Sequence, residues 1–287
     1  MDIIGNTALW TFLDGSTAIQ ASSVGQVRRG KGHRVSSYLE LAARIAELQF
    51  RNRDYVLLFR GQPADHMLAG SSTLRPSIFR PDPGKKSIKL SSLEQRYDVL
   101  HTAEQLLIDQ FQTLKRLGRQ RVARQRLLRW SILQHYEVCE TPLLDVSQSL
   151  RIAASFGSEG NSREAFLFVL AVPNVSGAIT ASAEAGIQIV RLASVCPPSA
   201  IRAHIQEGYL LGEYPDFSSF GQSAHYKPFQ VDFGRRLIGK FRFEREALWS
   251  DANFPRISHS ALYPDSKDWL ETAVGQIKAE LAAAKGD

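Results

Sequence analysis

The sequence is poor in sulfur and in long apolar runs. Its 287 residues include two methionines and two cysteines, Cys139 and Cys196. Two cysteines give neither a disulfide framework nor a four-ligand zinc site, which favours a reducing compartment. No apolar run approaches the roughly 20 residues that a membrane-spanning helix needs. We therefore expect a cytoplasmic protein that does not associate with a membrane.

Familiar cofactor motifs are also missing. Neither G-x-x-x-x-G-K-[ST] nor G-x-G-x-x-G occurs, which argues against P-loop and Rossmann sites. The seven histidines show no H-x-x-x-H or H-E-x-x-H spacing, so we expect no metal cofactor. The first residues, MDIIGNTALWTFLDG, carry acids and no basic region, which is atypical of a secretory signal.

One nucleophilic pair is conceivable from spacing alone. Cys139 follows His135 by four residues, and side chains four apart meet on a helix. The Thr141-Pro142 step just beyond favours extended backbone and interrupts such a helix. A buried, unreactive cysteine is therefore the simpler expectation.

The composition is that of an ordinary globular protein with a basic bias. Hydrophobic residues make up 44% and charged residues 22%, and the net charge is +6. This excess suits an anionic partner such as a nucleotide or nucleic acid, and it also suits solubility alone. The basic residues cluster on one predicted helical segment, as a solvated face or as an anion-binding face: Arg116, Arg119, Arg121, Arg124, Arg126 and Arg129.

The most informative stretch is residues 55–80, YVLLFRGQPADHMLAGSSTLRPSIFR. Its apolar start predicts a buried strand that ends at Arg60-Gly61-Gln62. A guanidinium at the end of a strand can grip a planar or phosphorylated ligand bidentately, and the glycine lets a backbone or a ligand approach closely. An arginine that pairs with a buried carboxylate and locks the loop fits the same residues.

A second informative stretch is residues 130–157. Gln134-His135-Tyr136 closes a helix, and Leu143–Val146 reads as a short strand that contains Asp145. Ser147 or Ser149 can then cap the helix at 150–156. A carboxylate and hydroxyls beside free backbone N–H groups form a plausible place for an anionic ligand. A core aspartate beside a self-capped helix is the alternative.

The remaining elements indicate one mixed domain. A Ser37-x-x-Glu40 capping box opens a helix, a long helix starts at Ser92, and an amphipathic helix begins near Trp269. Further strands are predicted at 165–172, 187–192 and 237–243. We see no repeat or linker. The prediction is a single α+β domain with a mixed or antiparallel sheet core flanked by helices, at residues 36–287 after an N-terminal extension at 1–35.

Three blocks occur in the order in which they stand in the FRG-domain family, named after its Phe-Arg-Gly tripeptide. They are Phe59–Gln62 with Leu74–Arg80; Gln134-His135-Tyr136 through Thr141–Asp145 to Ala153-Ala154-Ser155-Phe156; and Arg202-x-x-x-Gln206-x-Gly208-Tyr209. The segment Leu262-Tyr263-Pro264-Asp265 resembles the family's Leu-Phe-Pro-Asp close. Val146 stands where the family usually has an aromatic residue, and Gly157 where it usually has alanine.

The same blocks are similar to the ADP-ribosyltransferase plan of a first-strand arginine, a strand–Ser-x-Ser–helix segment and a late Gln or Glu. The resemblance implies that Arg60 holds the phosphates or ribose of NAD, that Ser147 organises the site, and that Glu207 or Gln206 stabilises the developing oxocarbenium ion. The implied cofactor is NAD without a metal. The implied binding residues are Phe59, Arg60, Gly61, Gln62, Gln134, His135, Tyr136, Asp145, Ser147 and Ser149.

Three hypotheses follow. The first is an ADP-ribosyltransferase-like enzyme, a toxin or defence effector, that uses NAD to modify a protein or nucleic acid or hydrolyses NAD; it requires an open cleft between the first strand and Ser147. The second is a non-catalytic module for a nucleotide or nucleic acid; the nucleic-acid form requires a continuous basic surface. The third is structural: Arg60 and Asp145 form a buried ion pair, which requires Arg60 to be fully satisfied by protein groups.

Overall fold

The computed structural model describes residues 8–15, 17–21, 23–197, 200–224, 231–263 and 269–284. In this part of the chain the strands are β1 Leu9–Thr11, β2 Ile19–Ala21, β3 His33–Arg34, β4 Val56–Gln62, β5 Met67–Leu68, β6 Ser71–Ser72, β7 Leu144–Ser147, β8 Glu164–Val172, β9 Ile179–Ser182, β10 Ile187–Arg191, β11 Gly208–Glu213 and β12 Leu237–Glu244.

The helices of the same residues follow in chain order, with 3-10 turns at Ser77–Phe79 and Phe233–Arg236. They are α1 Val24–Arg29, α2 Tyr38–Arg51, α3 Leu90–Thr113, α4 Arg119–Arg124, α5 Arg126–His135, α6 Leu150–Gly157, α7 Leu192–Val195, α8 Ile201–Ile205, α9 Phe220–Ala224, α10 Arg245–Leu248, α11 His259–Leu262 and α12 Trp269–Ala283.

The centre of the fold is a mixed sheet. Eight strands of the described chain lie in the order β3-β12-β8-β4-β7-β11-β10-β9. β3 runs parallel to β12, and the other neighbours are antiparallel. With helices on both sides of this sheet, the predicted α+β fold with a mixed sheet is confirmed.

Two hydrophobic cores hold the helices on the sheet. The first takes Leu41 and Leu48 of α2, and the second is built from the apolar sides of α3, α5 and α12. Side chains alternate along a strand, so Ile187 and Ile189 of β10 join the first core while Val190 joins the second. Opposite faces of this half of the sheet are therefore both covered.

The caps predicted from sequence are present. Ser37 Oγ accepts a hydrogen bond from Glu40 N at 3.2 Å, and Glu40 Oε2 accepts one from Ser36 N at 2.8 Å, which anchors the start of α2. Ser149 Oγ accepts from Ile152 N at 3.5 Å and caps α6. Between the two predicted capping serines, Ser149 is thus the one that caps the helix.

Several predicted boundaries need correction. β4 continues through Gln62 because its residues pair with β8 as far as Phe166, so Arg60 lies within the strand and not at its end. The long helix α3 begins at Leu90, two residues before Ser92. The basic segment forms two helices, α4 and α5, with an extended Gln125 between them.

The described residues of the predicted extension pack with the rest of the fold. Leu9, Phe12, Val24 and Val27 are buried in the first core. β3 adds to the edge of the central sheet beside β12. The boundary at residue 35 stays a prediction. None of the described helices is both long and apolar enough to cross a membrane.

Candidate functional site

A cleft of about 250 Å³ opens where β4 and β7 separate. Within the described residues these strands pair at Phe59 and Ser147, and the Arg60 side chain then reaches across to the backbone of Asp145. Eight of the predicted site residues line this cleft: Phe59, Arg60, Gly61, Gln134, His135, Asp145, Ser147 and Gln206. Segments far apart in sequence therefore meet at one place.

Helix α6 forms one wall because Gly61 leaves room for it. A Cβ on Gly61 would overlap the Ala153 carbonyl oxygen and would lie 2.5 Å from Gly157 N. The backbone of α6 thus rests directly on β4, which glycine alone permits. This close packing fixes the distance between Arg60 and the N-terminal half of α6.

Arg60 is the central cation of the cleft, and protein groups do not saturate it. Its Nη1 donates to the Asp145 backbone oxygen at 2.5 Å, while its Nε is buried and has no partner among the described residues. Burial lowers the pKa of Arg60 to about 10, helped by the charge of Arg80 and opposed by that of Asp145. The guanidinium therefore stays charged at neutral pH, with donors left for an anion.

Asp145 supplies the carboxylate that faces this cation. Gln134 Nε2 donates to Asp145 Oδ2 at 2.5 Å, and Gln134 Oε1 accepts from the Thr141 hydroxyl, which fixes the orientation of the amide. Burial raises the pKa of Asp145, whereas the charge of Arg60 and the Gln134 hydrogen bond lower it. Desolvation dominates, so Asp145 holds its proton to a higher pH than an exposed aspartate.

His135 is a neutral group in the cleft wall. It is 3% exposed, and burial lowers its pKa to about 3, with the charge of Arg202 acting in the same direction. It hydrogen-bonds to the backbone of Arg202, and its Nε2 has no partner among the described residues. One ring nitrogen is therefore left for a ligand.

The serine and glutamine of the ADP-ribosyltransferase comparison are engaged by the scaffold. Ser147 Oγ donates to the Gln206 backbone oxygen at 3.0 Å and accepts from Ser149 N at 3.0 Å. Gln206 Nε2 donates to Leu262 O at 2.8 Å. Both residues border the cleft. The Ser147 hydrogen bond holds β7 to the chain before β11, and the Gln206 hydrogen bond holds that chain to the end of α11.

Four predicted site residues lie outside the lining of the cleft. Glu207 is exposed in the turn before β11 with φ of 43°, a conformation that non-glycine residues seldom adopt. Tyr136 is buried in the second core, and Ser149 serves as the cap of α6. Gln62 lines a neighbouring cavity.

Nine lining residues were not predicted as site residues, and five of them carry charged or aromatic side chains. These five are Glu137, Phe156, Glu159, Arg202 and Tyr263. Arg202 Nη2 donates to Glu137 at 2.9 Å, and its guanidinium lies 4.5 Å from the centre of the Tyr263 ring. Phe156, Arg202 and Tyr263 stand in the family blocks without an assigned role, whereas no sequence signal marks Glu137 or Glu159. Pro264 and Asp265, which end the last block, lie outside the described residues.

The basic segment is largely exposed, with Arg129 as the exception. Arg129 is buried and pairs with Glu104 at 2.8 Å, so it does not belong to a positive face. Arg116 stacks on Trp269 with 4.6 Å between the guanidinium and the ring centre. Five arginines of the segment are exposed: Arg116, Arg119, Arg121, Arg124 and Arg126, the last of which lies 3.8 Å from Asp216 Oδ2.

The described residues do not assemble the Cys139–His135 pair or a cluster of metal ligands. α5 ends at His135, so Cys139 does not follow it on a helix, and Cys139 does not line the cleft. In the described part of the chain no three His, Cys, Asp or Glu side chains come together as metal ligands.

Comparison with known families identifies one segment. Residues 56–165 match the family model of the FRG domain, which confirms the resemblance over that part of the chain. Searches of curated proteins and of solved structures found no match. The matched segment contains β4, β7 and α6, and with them Arg60, Gln134, His135 and Asp145.

Proposed function

We propose that this FRG-domain protein is an NAD-dependent enzyme that cleaves the bond between ribose and nicotinamide and passes ADP-ribose to a macromolecule or to water. The observation that carries the proposal is the incomplete hydrogen bonding of Arg60. A cation kept only for folding would be expected to have its donors filled by protein acceptors. Arg60 instead faces a cleft, and among the described residues its one acceptor is a backbone carbonyl.

The walls of the cleft suit a nicotinamide riboside. Phe156 and Tyr263 meet edge to face with ring centres 5.9 Å apart, which offers an aromatic surface to a planar ring. His135 is uncharged and does not repel a pyridinium cation. A volume of about 250 Å³ is slightly below the roughly 300 Å³ at which whole-ligand pockets begin, so the cleft takes one end of a dinucleotide.

The chemistry needs a clamp and a carboxylate, and the geometry favours Asp145 over Glu207 for the second part. When the ribose C1′–N bond breaks, its electron pair leaves on the nicotinamide nitrogen and positive charge develops on the ribose. Ionised Asp145 stabilises that charge, while Arg60 binds phosphate or ribose oxygens. An acceptor O–H or N–H then bonds to C1′ and releases its proton to Asp145 or to solvent. A role as a toxin or defence effector would follow from the nature of that acceptor.

A non-catalytic nucleotide-binding module is the second candidate. The specific observation in its favour is that Ser147 and Gln206 donate their side-chain hydrogen bonds to backbone oxygens of the protein, while Glu207 lies outside the cleft. On this reading Arg60 still binds the ligand, and no bond is broken.

Calorimetric titration of NAD tests the binding at Arg60 that both proposals require. We expect binding to wild type and at least a tenfold weaker affinity, about 1.4 kcal/mol, in Arg60→Gln. Arg53→Gln removes an exposed arginine and is the matched control. Circular dichroism verifies that each variant is folded. Absence of NAD binding by folded wild type would contradict the NAD proposal in both forms.

Nicotinamide release, measured by chromatography with and without cell extract as a source of acceptor, then tests catalysis. Asp145→Asn keeps the shape and removes the charge, so we expect release to fall by about 100-fold, as for loss of a major electrostatic group. Binding of NAD without release under either condition would favour the non-catalytic module.

A further inference from the structure

A second cavity, of about 520 Å³, lies beside the cleft. Its polar lining includes four cations and two acceptors, together with His66 and Thr73; the cations are Arg75, Arg80, Lys85 and Lys86, and the acceptors are Gln62 and Asp65. Arg80, Lys85 and Lys86 are exposed, whereas Gln62 and Arg75 are 9% and 7% exposed. The floor of the cavity is thus polar and built into the fold, and its rim is basic.

Polar atoms of this floor lack partners among the described residues. They are the donor Arg75 Nε and the acceptors Gln62 Oε1 and Asp65 Oδ1. The other Asp65 oxygen accepts from Lys240 Nζ and Ser72 Oγ at 2.8 and 2.9 Å, so Asp65 is held in place while one oxygen stays free. A ligand that both accepts and donates hydrogen bonds would complete the set.

The two cavities have no lining residue in common, but they adjoin along one strand, because the consecutive β4 residues Gly61 and Gln62 line the cleft and the second cavity respectively. Gln62 follows Arg60 by two residues on β4, so both side chains project from the same face of the sheet. Arg80 lines the second cavity, and its charge acts on Arg60 while the charge of Asp145 acts on Arg80. A molecule that follows β4 from Arg60 past Gln62 would therefore reach both sites.

We propose that the second cavity binds the ADP half of NAD while its nicotinamide riboside half lies in the cleft. Phosphate oxygens would accept from Arg75, Arg80 and the two lysines, since charge-assisted bonds to phosphate are strong. Ribose hydroxyls would donate to Gln62 and Asp65, in the way that acidic side chains recognise ribose in other nucleotide sites. This assignment rests on the proposed function for the identity of the whole ligand, and its test uses the halves.

Titration of ADP and of nicotinamide mononucleotide as separate probes tests the assignment. We expect Lys85→Gln with Lys86→Gln to weaken ADP binding by at least tenfold and to leave the mononucleotide within about threefold of wild type. Arg60→Gln should show the opposite pattern. The matched control is Lys31→Gln with Lys115→Gln, which removes two exposed lysines outside the cavity and should retain ADP binding. Arg75→Gln, if folded, should also weaken ADP.

The outcomes separate the two proposals. If ADP does not bind, or if the control variant loses as much affinity as the cavity variant, the second-cavity assignment is overturned even when NAD binds through Arg60. If ADP binds and depends on Lys85 and Lys86 while NAD shows no dependence on Arg60, the cavity stands as a nucleotide site and the proposed enzyme function fails. Adenosine, which lacks phosphate, should bind more weakly than ADP; equal binding would also overturn the assignment.

Discussion

Two cations on the central sheet, Lys240 on β12 and Arg60 on β4, differ in how many of their hydrogen-bond donors the protein satisfies. Lys240 is 1% exposed, and its Nζ lies 2.8 Å from Asp65 Oδ2, 2.8 Å from Ser72 Oγ and 3.3 Å from the Arg28 carbonyl oxygen. An ammonium has three donors, and these partners use them all. A guanidinium has five donors, yet Arg60 has one acceptor in the described part of the chain. The first cation is saturated by folding, and the second has donors left for a ligand.

The hydrogen-bonded groups around Lys240 also hold neighbouring segments in place. Arg28 donates to Asp232 at 2.6 Å and to the Ser72 backbone oxygen at 2.9 Å, and Asp232 accepts from Leu74 N at 2.8 Å. These bonds tie α1 and the chain at 65–74 to the sheet. Because Asp65 and Arg75 line the second cavity, charges that serve folding position the wall of a proposed binding site.

The largest effect on stability should come from removing Lys240, the cation whose donors are all satisfied. Lys240→Met leaves Asp65 buried with one charge uncompensated, so we expect a loss of about 3–5 kcal/mol in the free energy of unfolding. Urea denaturation measures it. Lys240→Met combined with Asp65→Leu removes both charges and should recover much of the loss. A cost below about 1 kcal/mol for the single variant would show that saturation does not mark a folding role.

The next effect tests the backbone that carries Arg60. Gly61→Ala places a methyl group against the Ala153 carbonyl of α6, so β4 and α6 must separate. We expect a cost of about 1–3 kcal/mol, as for overpacked cores, together with weaker NAD binding. Thermal and urea unfolding measure the stability.

Gly275→Ala is the matched control, because nothing lies within 4 Å of a Cβ there and Gly275 is inside α12. It should stabilise the protein by about 0.5–1 kcal/mol. If Gly61→Ala behaved in the same way, the close contact between α6 and β4 would not constrain the site.

These tests also show where sequence reasoning succeeds and where it stops. Local patterns predicted the capping box at Ser37, the strands around Phe59 and Phe168, and a serine cap at Ser147 or Ser149, because each depends on neighbours in sequence. The cleft residues Glu137, Glu159 and Tyr263 were not predicted, because the order of the strands in the sheet and the paths of the loops bring them together from distant parts of the sequence. The spacing of two residues indicates that Gln62 lies on the same strand face as Arg60. The sequence does not show that Gln62 lines a separate cavity, because Arg75 and Arg80 form that cavity from a later segment of the chain.

A smaller effect is expected from His135, whose burial makes the stability of the protein depend on pH. The folded pKa of His135 is about 3, below the ordinary 6.5, so the unfolded chain takes up a proton that the folded protein does not as pH falls below about 6.5. Stability from this residue is therefore lost on acidification, by about 2 kcal/mol between pH 7 and pH 5. His135→Gln should remove that part of the pH dependence.

Urea unfolding at the two pH values measures the difference within each protein, so any constant cost of the substitution cancels. His33 is also buried with a lowered pKa, and its share of the slope should remain in His135→Gln. An identical pH slope in wild type and variant would mean that His135 is not kept neutral by the fold.

The smallest effect on stability is expected at Arg60 itself, and this is where the comparison with Lys240 is sharpest. Arg60→Gln loses one hydrogen bond, worth about 0.5–1.5 kcal/mol, and is relieved of the desolvation of a charge. It also removes the positive charge near Asp145, but that hydrogen bond goes to the Asp145 backbone oxygen, and the carboxylate keeps its bond from Gln134, unlike Asp65, which is ion-paired with Lys240 at 2.8 Å. The net change should therefore stay below about 1 kcal/mol. With NAD at 100 times its dissociation constant, wild type should gain about 2.7 kcal/mol of stability from binding. Arg60→Gln should gain far less at the same concentration. If Arg60→Gln instead unfolds as readily as Lys240→Met, then Arg60 belongs to the scaffold, and its unfilled donors do not indicate a ligand.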